Sequence, residues 1–267
     1  MSTQIEKFTA IADKIREKTG TEETMTANDF TDKIDEVFEA GKKAEYDRFW
    51  DAFQQSGTRE TYSYAFAYQW DENIFTPKYD IVPVIAEYMF RAFPCTAKPF
   101  DLVDKLQELN INLDFSKCTN MTSLTSYSYI SRMGVVDMRA CTAHSTTFAY
   151  SNELKTIDKI IVDENNTFVN VVFRVPKLED ITVEGTVASD ISFQYCTRLT
   201  KESITSIINA LGDEKIVTGK TLTLSKTAVN TAFGINIDDN TTWSDEWVNL
   251  IKDRSNAYGG NWTISFA

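Results

Sequence analysis

Apolar residues between Ile111 and Leu211 recur in one frame. Leu113–Thr119, Val136–Thr142 and Ile191–Thr197 each read apolar-x-apolar-x-x-Cys-Thr. Alternating apolar positions predict half-buried strands, which the chain leaves at the same Cys-Thr offset each time. Further apolar runs fall at Ile160–Val162 and Ile181–Val183. With Phe115, Met138, Ile161 and Val183 as equivalent positions, the steps between them are nearly constant (138−115, 161−138, 183−161). A step in the low twenties is the pitch of leucine-rich-repeat solenoids, whose turns bury an apolar face only by stacking. A second set of apolar triplets, around Tyr127–Ile130, Phe148–Tyr150 and Val171–Phe173, lies between the main runs and predicts an opposite wall. Ile191 breaks the regular step, because it follows Val183 far too soon.

Outside this stretch the period changes. Ile5, Phe8, Ile11, Ala12 and Ile15 have helical spacing that stops at Thr19-Gly20. Thr26-Ala-Asn-Asp29 opens a second helix in the manner of a capping box. Phe30, Ile34, Val37, Gly41 and Ala44 then follow 4, 3, 4 and 3 spacing, that of a short coiled-coil seam or of an amphipathic helix packed on its own chain. Tyr62, Tyr64, Phe66, Tyr68 and Trp70 alternate at period two and predict an extended segment with one aromatic face. Asp101–Leu109 predicts a short helix. Thr200–Gly212 predicts another, with Thr200 as N-cap and Ile204, Ile207, Ile208 and Leu211 on one face. Thr221–Leu224 predicts a strand, Ser244–Trp247 the start of a last helix, and Asn261–Phe266 a closing strand.

The fold class expected is α+β: N-terminal helices followed by a leucine-rich-repeat-like β-solenoid with a helix/strand C-terminal cap. Residues 1–60 form the helical anchoring and oligomerisation region. Residues 61–110 form an aromatic-rich linker and N-terminal cap, 111–200 the solenoid, and 201–267 the C-terminal cap.

Charge and chemistry narrow the function classes. The 267 residues carry a net charge of −12, with no clustered Lys and Arg patch for phosphates, so nucleic acid is not an expected partner. No apolar run is long enough to span a membrane, and Met1–Ile15 lacks the apolar centre of a signal peptide. Cys95, Cys118, Cys141 and Cys196 form no Cys-x-x-Cys pair, and three of them share one repeat position, which suits small buried side chains. His144 is the only histidine and sits in a predicted turn, so neither a nucleophile–histidine triad nor a histidine zinc site is expected. Ile237–Asn240 is oxygen-rich but lacks the Gly and distal Glu of an EF-hand loop. No catalytic residue, metal site or cofactor is expected.

Phe193–Leu211 followed by Thr221–Leu224 resembles the C-terminal unit of BspA-like leucine-rich-repeat proteins. Ile11–Gly20 with Met25–Phe30, Phe49-Trp50-Asp-Ala-Phe53, Tyr64-Ala-Phe66 and Trp70 resemble tail-associated structural proteins of phages and prophages of anaerobic bacteria. The resemblance implies a non-enzymatic virion component of the fibre, baseplate or receptor-binding type, made in the bacterial host cytoplasm. It would bind other virion proteins through its N-terminal helices, form a homo-oligomer (a trimer in the favoured reading), and face a host-surface glycan or protein. Tyr127, Tyr129, His144 and Tyr150 are the candidate binding residues. The alternatives are a purely architectural virion protein and a virion-attached glycan hydrolase, the latter needing two carboxylates about 5–10 Å apart.

Overall fold

A computed structural model describes Asp13, Lys14, Glu17 and residues 29–68, 73–94, 96, 98–168, 171–213 and 217–267, with backbone only over 29–36. The expected helix over Ile5–Ile15, the Thr26 cap, Trp70 and Cys95 lie outside the described residues, apart from Asp13 and Lys14. The chain divides into two compact units, Met1–Ser56 and Gly57–Ala267.

In the first unit, α1 (Asp29–Phe53) runs unbroken through Gly41. Lys42–Glu39 at 2.7 Å and Lys43–Asp47 at 2.8 Å are pairs one turn apart, each worth about 0.2–0.5 kcal/mol. Trp50 is buried and meets Phe49 and Phe53 edge-on, each at 5.6 Å. Phe38 and Phe49 remain exposed.

The second unit is built from parallel ladders. β1 (Phe100–Asp101), β2 (Ile130–Asp137), β3 (Thr156–Val162) and β4 (Asp180–Gly185) form a four-stranded parallel sheet in sequence order. Arg132 pairs with Thr156 and Thr156 with Asp180. β5 (Ile191–Phe193), β6 (Lys220–Leu224) and β7 (Trp262–Phe266) form a separate three-stranded parallel sheet. Four helices accompany them: α2 (Leu102–Glu108), α3 (Lys201–Asn209), α4 (Lys226–Phe233) and α5 (Asp245–Ile251). Asp101, Thr200 and Ser244 cap α2, α3 and α5, accepting the backbone N–H of Asp104, Ser203 and Trp247.

Between the strands the chain makes tight turns whose backbones also pair in register. Tyr62, Tyr64, Phe66 and Tyr68 donate to the carbonyls of Ile85, Glu87, Met89 and Arg91. Ala86, Tyr88, Phe90 and Ala92 donate in turn to Asn120, Thr122, Leu124 and Ser126. Met121, Ser123, Thr125 and Tyr127 donate to Ala143, Ser145, Thr147 and Ala149. Side chains from strands and turns fill the interior: Met133, Val136, Ile157, Ile160 and Ile181 from one side, Phe115, Leu124, Phe148 and Val171 from the other. At the Gly57 end, Phe66, Phe75, Phe90 and Phe93 are wholly buried with ring centroids 5.1–6.4 Å apart. Burial of each contributes about 1.5–3 kcal/mol.

The expectation of a leucine-rich-repeat-like β-solenoid is corrected by this topology. The fold is α+β with two parallel sheets, of four and three strands, and five helices among the described residues. Among the strands, the regular step holds only across β2, β3 and β4. β4 does not pair with β5. Its backbone instead meets α3: Ile181 N–H donates to Ser203 Oγ and Val183 N–H to Ser206 Oγ, both at 2.9 Å. The helix occupies the place the next strand would take, and Ile191 pairs with Leu222 in the other sheet. Leu113–Thr119 is also no strand; Leu113 makes one isolated bridge to Ile81. What the Cys-Thr frame marks is a turn. Cys118, Cys141 and Cys196 donate their N–H to Phe115, Met138 and Phe193, at 2.8, 2.8 and 3.0 Å. All three thiols are buried, and burial pushes that of Cys118 up to about 12.

Gly185 ends β4 at φ +101°, where a Cβ would lie 1.9 Å from the Val162 carbonyl oxygen. Gly219, at φ +66°, has open space around it. Gly185→Ala is expected to cost roughly 2–3 kcal/mol or more, and Gly219→Ala about 1 kcal/mol, since only the first adds a backbone collision to the unfavourable φ. Urea unfolding of the two variants followed by circular dichroism checks the difference.

Candidate functional site

The paired turns carry an outward row of aromatic and arginine side chains. At several turn positions with positive φ the side chain leaves the ladder toward solvent. Of the twelve non-glycine residues with positive φ among those described, six belong to this row: Tyr64, Tyr68, Tyr88, Tyr127, Tyr150 and Arg174. Such backbone is costly for L-residues and concentrates where the side chain serves a purpose.

The rings meet face to face along the ladder. Tyr64 stacks on Tyr88 at 4.6 Å, and Tyr127 on Tyr150 at 4.8 Å with 2° between planes. These spacings match the distance between neighbouring strands, so the backbone register sets the stacking. Arg91 fills the interval between the two pairs. Its guanidinium carbon lies 5.1 Å from the Tyr88 centroid, 5.5 Å from Tyr68 and 5.7 Å from Tyr127. Arg174 does the same further along, 5.7 Å from Tyr150, 5.5 Å from Phe173 and 5.7 Å from Tyr195. Phe173 meets Tyr150 and Tyr195 edge-on. Each cation–ring contact at an exposed site contributes about 0.5–1 kcal/mol. Tyr64, Tyr68 and Tyr127 keep about half their surface in solvent. Desolvation, then its neighbours Tyr88 and Glu87, push the Tyr64 phenol above its ordinary pKa.

Tyr127 and Tyr150 are thus the two candidates that the structure brings together. Tyr129 is half-buried beside β2, where its N–H donates to Phe93 and its carbonyl accepts from Phe100. His144 is buried, and the Thr167 N–H donates to its Nε2 at 3.0 Å. Neither makes a ring contact with the row. The expected single aromatic face over Tyr62–Tyr68 is corrected: Tyr62 and Phe66 point into the core while Tyr64 and Tyr68 point out. Tyr64 and Tyr68 were legible only as part of an aromatic segment, and Tyr88, Arg91, Phe173, Arg174 and Tyr195 were not among the candidate residues. A signal existed, because Tyr127, Tyr150, Phe173 and Tyr195 repeat at the same near-constant step as the strands (150−127, 173−150, 195−173).

Other polar clusters are occupied by structural tasks. Asp239 caps a short 3-10 turn at Asn240–Thr242, and Asp238 pairs with Lys226 at 2.9 Å. The Arg139 guanidinium hydrogen-bonds Asp137 and holds its carboxyl below the usual range. Among the described residues no cluster of His, Cys, Asp or Glu could hold a metal, and no helix is long and apolar enough to cross a membrane. No protein-family model, curated protein or solved structure matches the chain.

Because Nε2 of His144 accepts a hydrogen bond, the ring proton sits on Nδ1, which is buried without a partner. Burial lowers the His144 pKa, so the unfolded chain takes up a proton here more readily than the folded one. Stability is therefore full above the unfolded histidine's pKa of about 6.5 and falls as pH drops below it. Melting temperature is expected to decline between pH 7.5 and 5.5, and His144→Gln, which keeps an acceptor for Thr167, is expected to flatten that decline.

Proposed function

We propose that this chain is a non-enzymatic structural and binding component of a phage virion, and that the tyrosine–arginine row recognises a host-surface glycan or protein. The row is the observation that carries the reading. It is exposed, held by backbone register, and built at some cost in conformational strain, which a surface serving only solubility has no reason to bear. The N-terminal unit is assigned to assembly with other virion proteins and with copies of itself. Phe38 and Phe49, exposed at 65% and 45% on α1, support that part.

Two measurements test the reading. Fluorescent full-length protein is expected to adsorb to cells of a susceptible anaerobic bacterium, and Tyr127→Ser with Tyr150→Ser to lower adsorption at least ten-fold. Immunogold labelling of phage particles induced from the producing strain is expected to decorate the tail. Label confined to non-particulate protein sinks the virion assignment. Decorated particles whose protein does not adsorb to cells favour the purely architectural alternative. Shortened polymer after incubation with host polysaccharide favours the glycan hydrolase.

Assembly is checked by light scattering. The full chain is expected at three times its 30.3 kDa mass, and Phe38→Glu with Phe49→Glu is expected to return it to one.

A further inference from the structure

We propose that the row takes an acidic polysaccharide, lying edge-on along its length; this rests on the reading of the row as a recognition surface. The proposal follows from what the row leaves available. Tyr64 and Tyr88 cover one face of each other, as do Tyr127 and Tyr150, and the two guanidinium groups lie against Tyr68, Tyr88, Tyr127, Tyr150 and Tyr195. What faces outward is a line of ring edges, phenolic O–H groups and guanidinium N–H groups. Aromatic edges carry the positive end of the ring quadrupole. Guanidinium groups present planar donor pairs that suit carboxylates. The ring edges, phenols and guanidinium groups favour oxygen-rich, anionic partners, with Glu87 beside Tyr64 as the opposing charge at that end of the row.

The arginines sharpen this. Arg132, Arg139 and Arg198 each hold a carboxylate, at 2.8, 2.7 and 3.2 Å. Arg91 and Arg174 hold none among the described residues, as is also true of Arg48 and Arg254, but these two stand against the row's rings, and Arg91 Nε is buried without a partner. They lie three rungs apart, or about 14 Å at the ~4.8 Å inter-strand spacing, within a row about 24 Å long. Two unpaired cations at that interval fit a polymer with carboxylates at regular intervals.

Other anionic polymers fit less well. Single-stranded nucleic acid binds by stacking bases on open aromatic faces, and here the facing sides of Tyr64 and Tyr88, and of Tyr127 and Tyr150, are closed by each other. An extended acidic peptide docks by pairing with free backbone groups, yet the rungs already pair with one another through Tyr64, Tyr88, Tyr127 and Tyr150.

The test measures binding of the full-length protein by biolayer interferometry to polygalacturonate, polysialic acid, dextran, polyglutamate and oligo(dT). Binding to either acidic polysaccharide is expected, weakening as salt rises from about 50 to 500 mM, with none to dextran. Which one binds separates a uronate from a sialate ligand. Arg91→Gln with Arg174→Gln is expected to weaken binding at least ten-fold, and Lys159→Gln, whose ammonium pairs with Glu184 on the four-stranded sheet, to leave it unchanged. If the double variant does not fold by circular dichroism, Arg174→Gln alone, whose side chain is exposed, carries the comparison with an expected loss of at least three-fold. Equal binding to dextran, polyglutamate or oligo(dT), or indifference to the arginine variants, overturns the acidic-polysaccharide inference. If no polymer binds but cell adsorption still depends on Tyr127 and Tyr150, the inference fails and the recognition reading stands. If adsorption is also unaffected by those tyrosines, both fail.

Discussion

Backbone hydrogen bonds between rungs are the interaction on which the second unit depends. They join residues well separated in sequence, such as Met121 with Ala143 and Ala86 with Asn120. Side chains from neighbouring rungs share one interior, where Phe115, Leu124, Phe148 and Val171 are all buried. The same register fixes the spacing of everything attached to it: the buried phenylalanines on the inside, the serine and threonine contacts such as Ser123 with Thr146 at 2.8 Å, and the stacked tyrosines on the outside. Core and candidate site are two faces of one ladder.

In the recognition role proposed for the row, this coupling would lower the entropic cost of binding. Side chains that would otherwise sample several rotamers are already held by their neighbours, Arg91 by three rings and Arg174 by three more. A long, shallow partner gains little at any single contact. A pre-ordered line of donors compensates, because less freedom is lost when the partner arrives.

The sequence showed the rhythm of the chain better than its shape. The Cys-Thr frame located three equivalent turns, and helical periodicity located α1, α2 and α3 close to their observed bounds but only the start of α5. It did not locate α4, because Lys226–Phe233 is short and has few large apolar residues. A constant step could not say where one sheet stops, since that depends on Ser203 and Ser206 on α3 reaching the backbone of β4, a pairing between segments distant in sequence. The aromatic segment misled for a local reason. Period-two alternation implies extended backbone, and nothing in Tyr64 or Tyr68 as residue types announces positive φ. Tyr127 and Tyr150 were legible because they repeat at the common step. Arg91 and Arg174 were not, because they lie far apart along the chain and become meaningful only once the rungs are stacked.

The serines on α3 have a consequence beyond ending the sheet. An edge strand with free N–H groups is a template on which a second chain can add a strand. Ser203 and Ser206 take the Ile181 and Val183 donors, and at the opposite edge β1 is only two residues long. The β4 edge of the four-stranded sheet thereby has these two donors closed to a second chain.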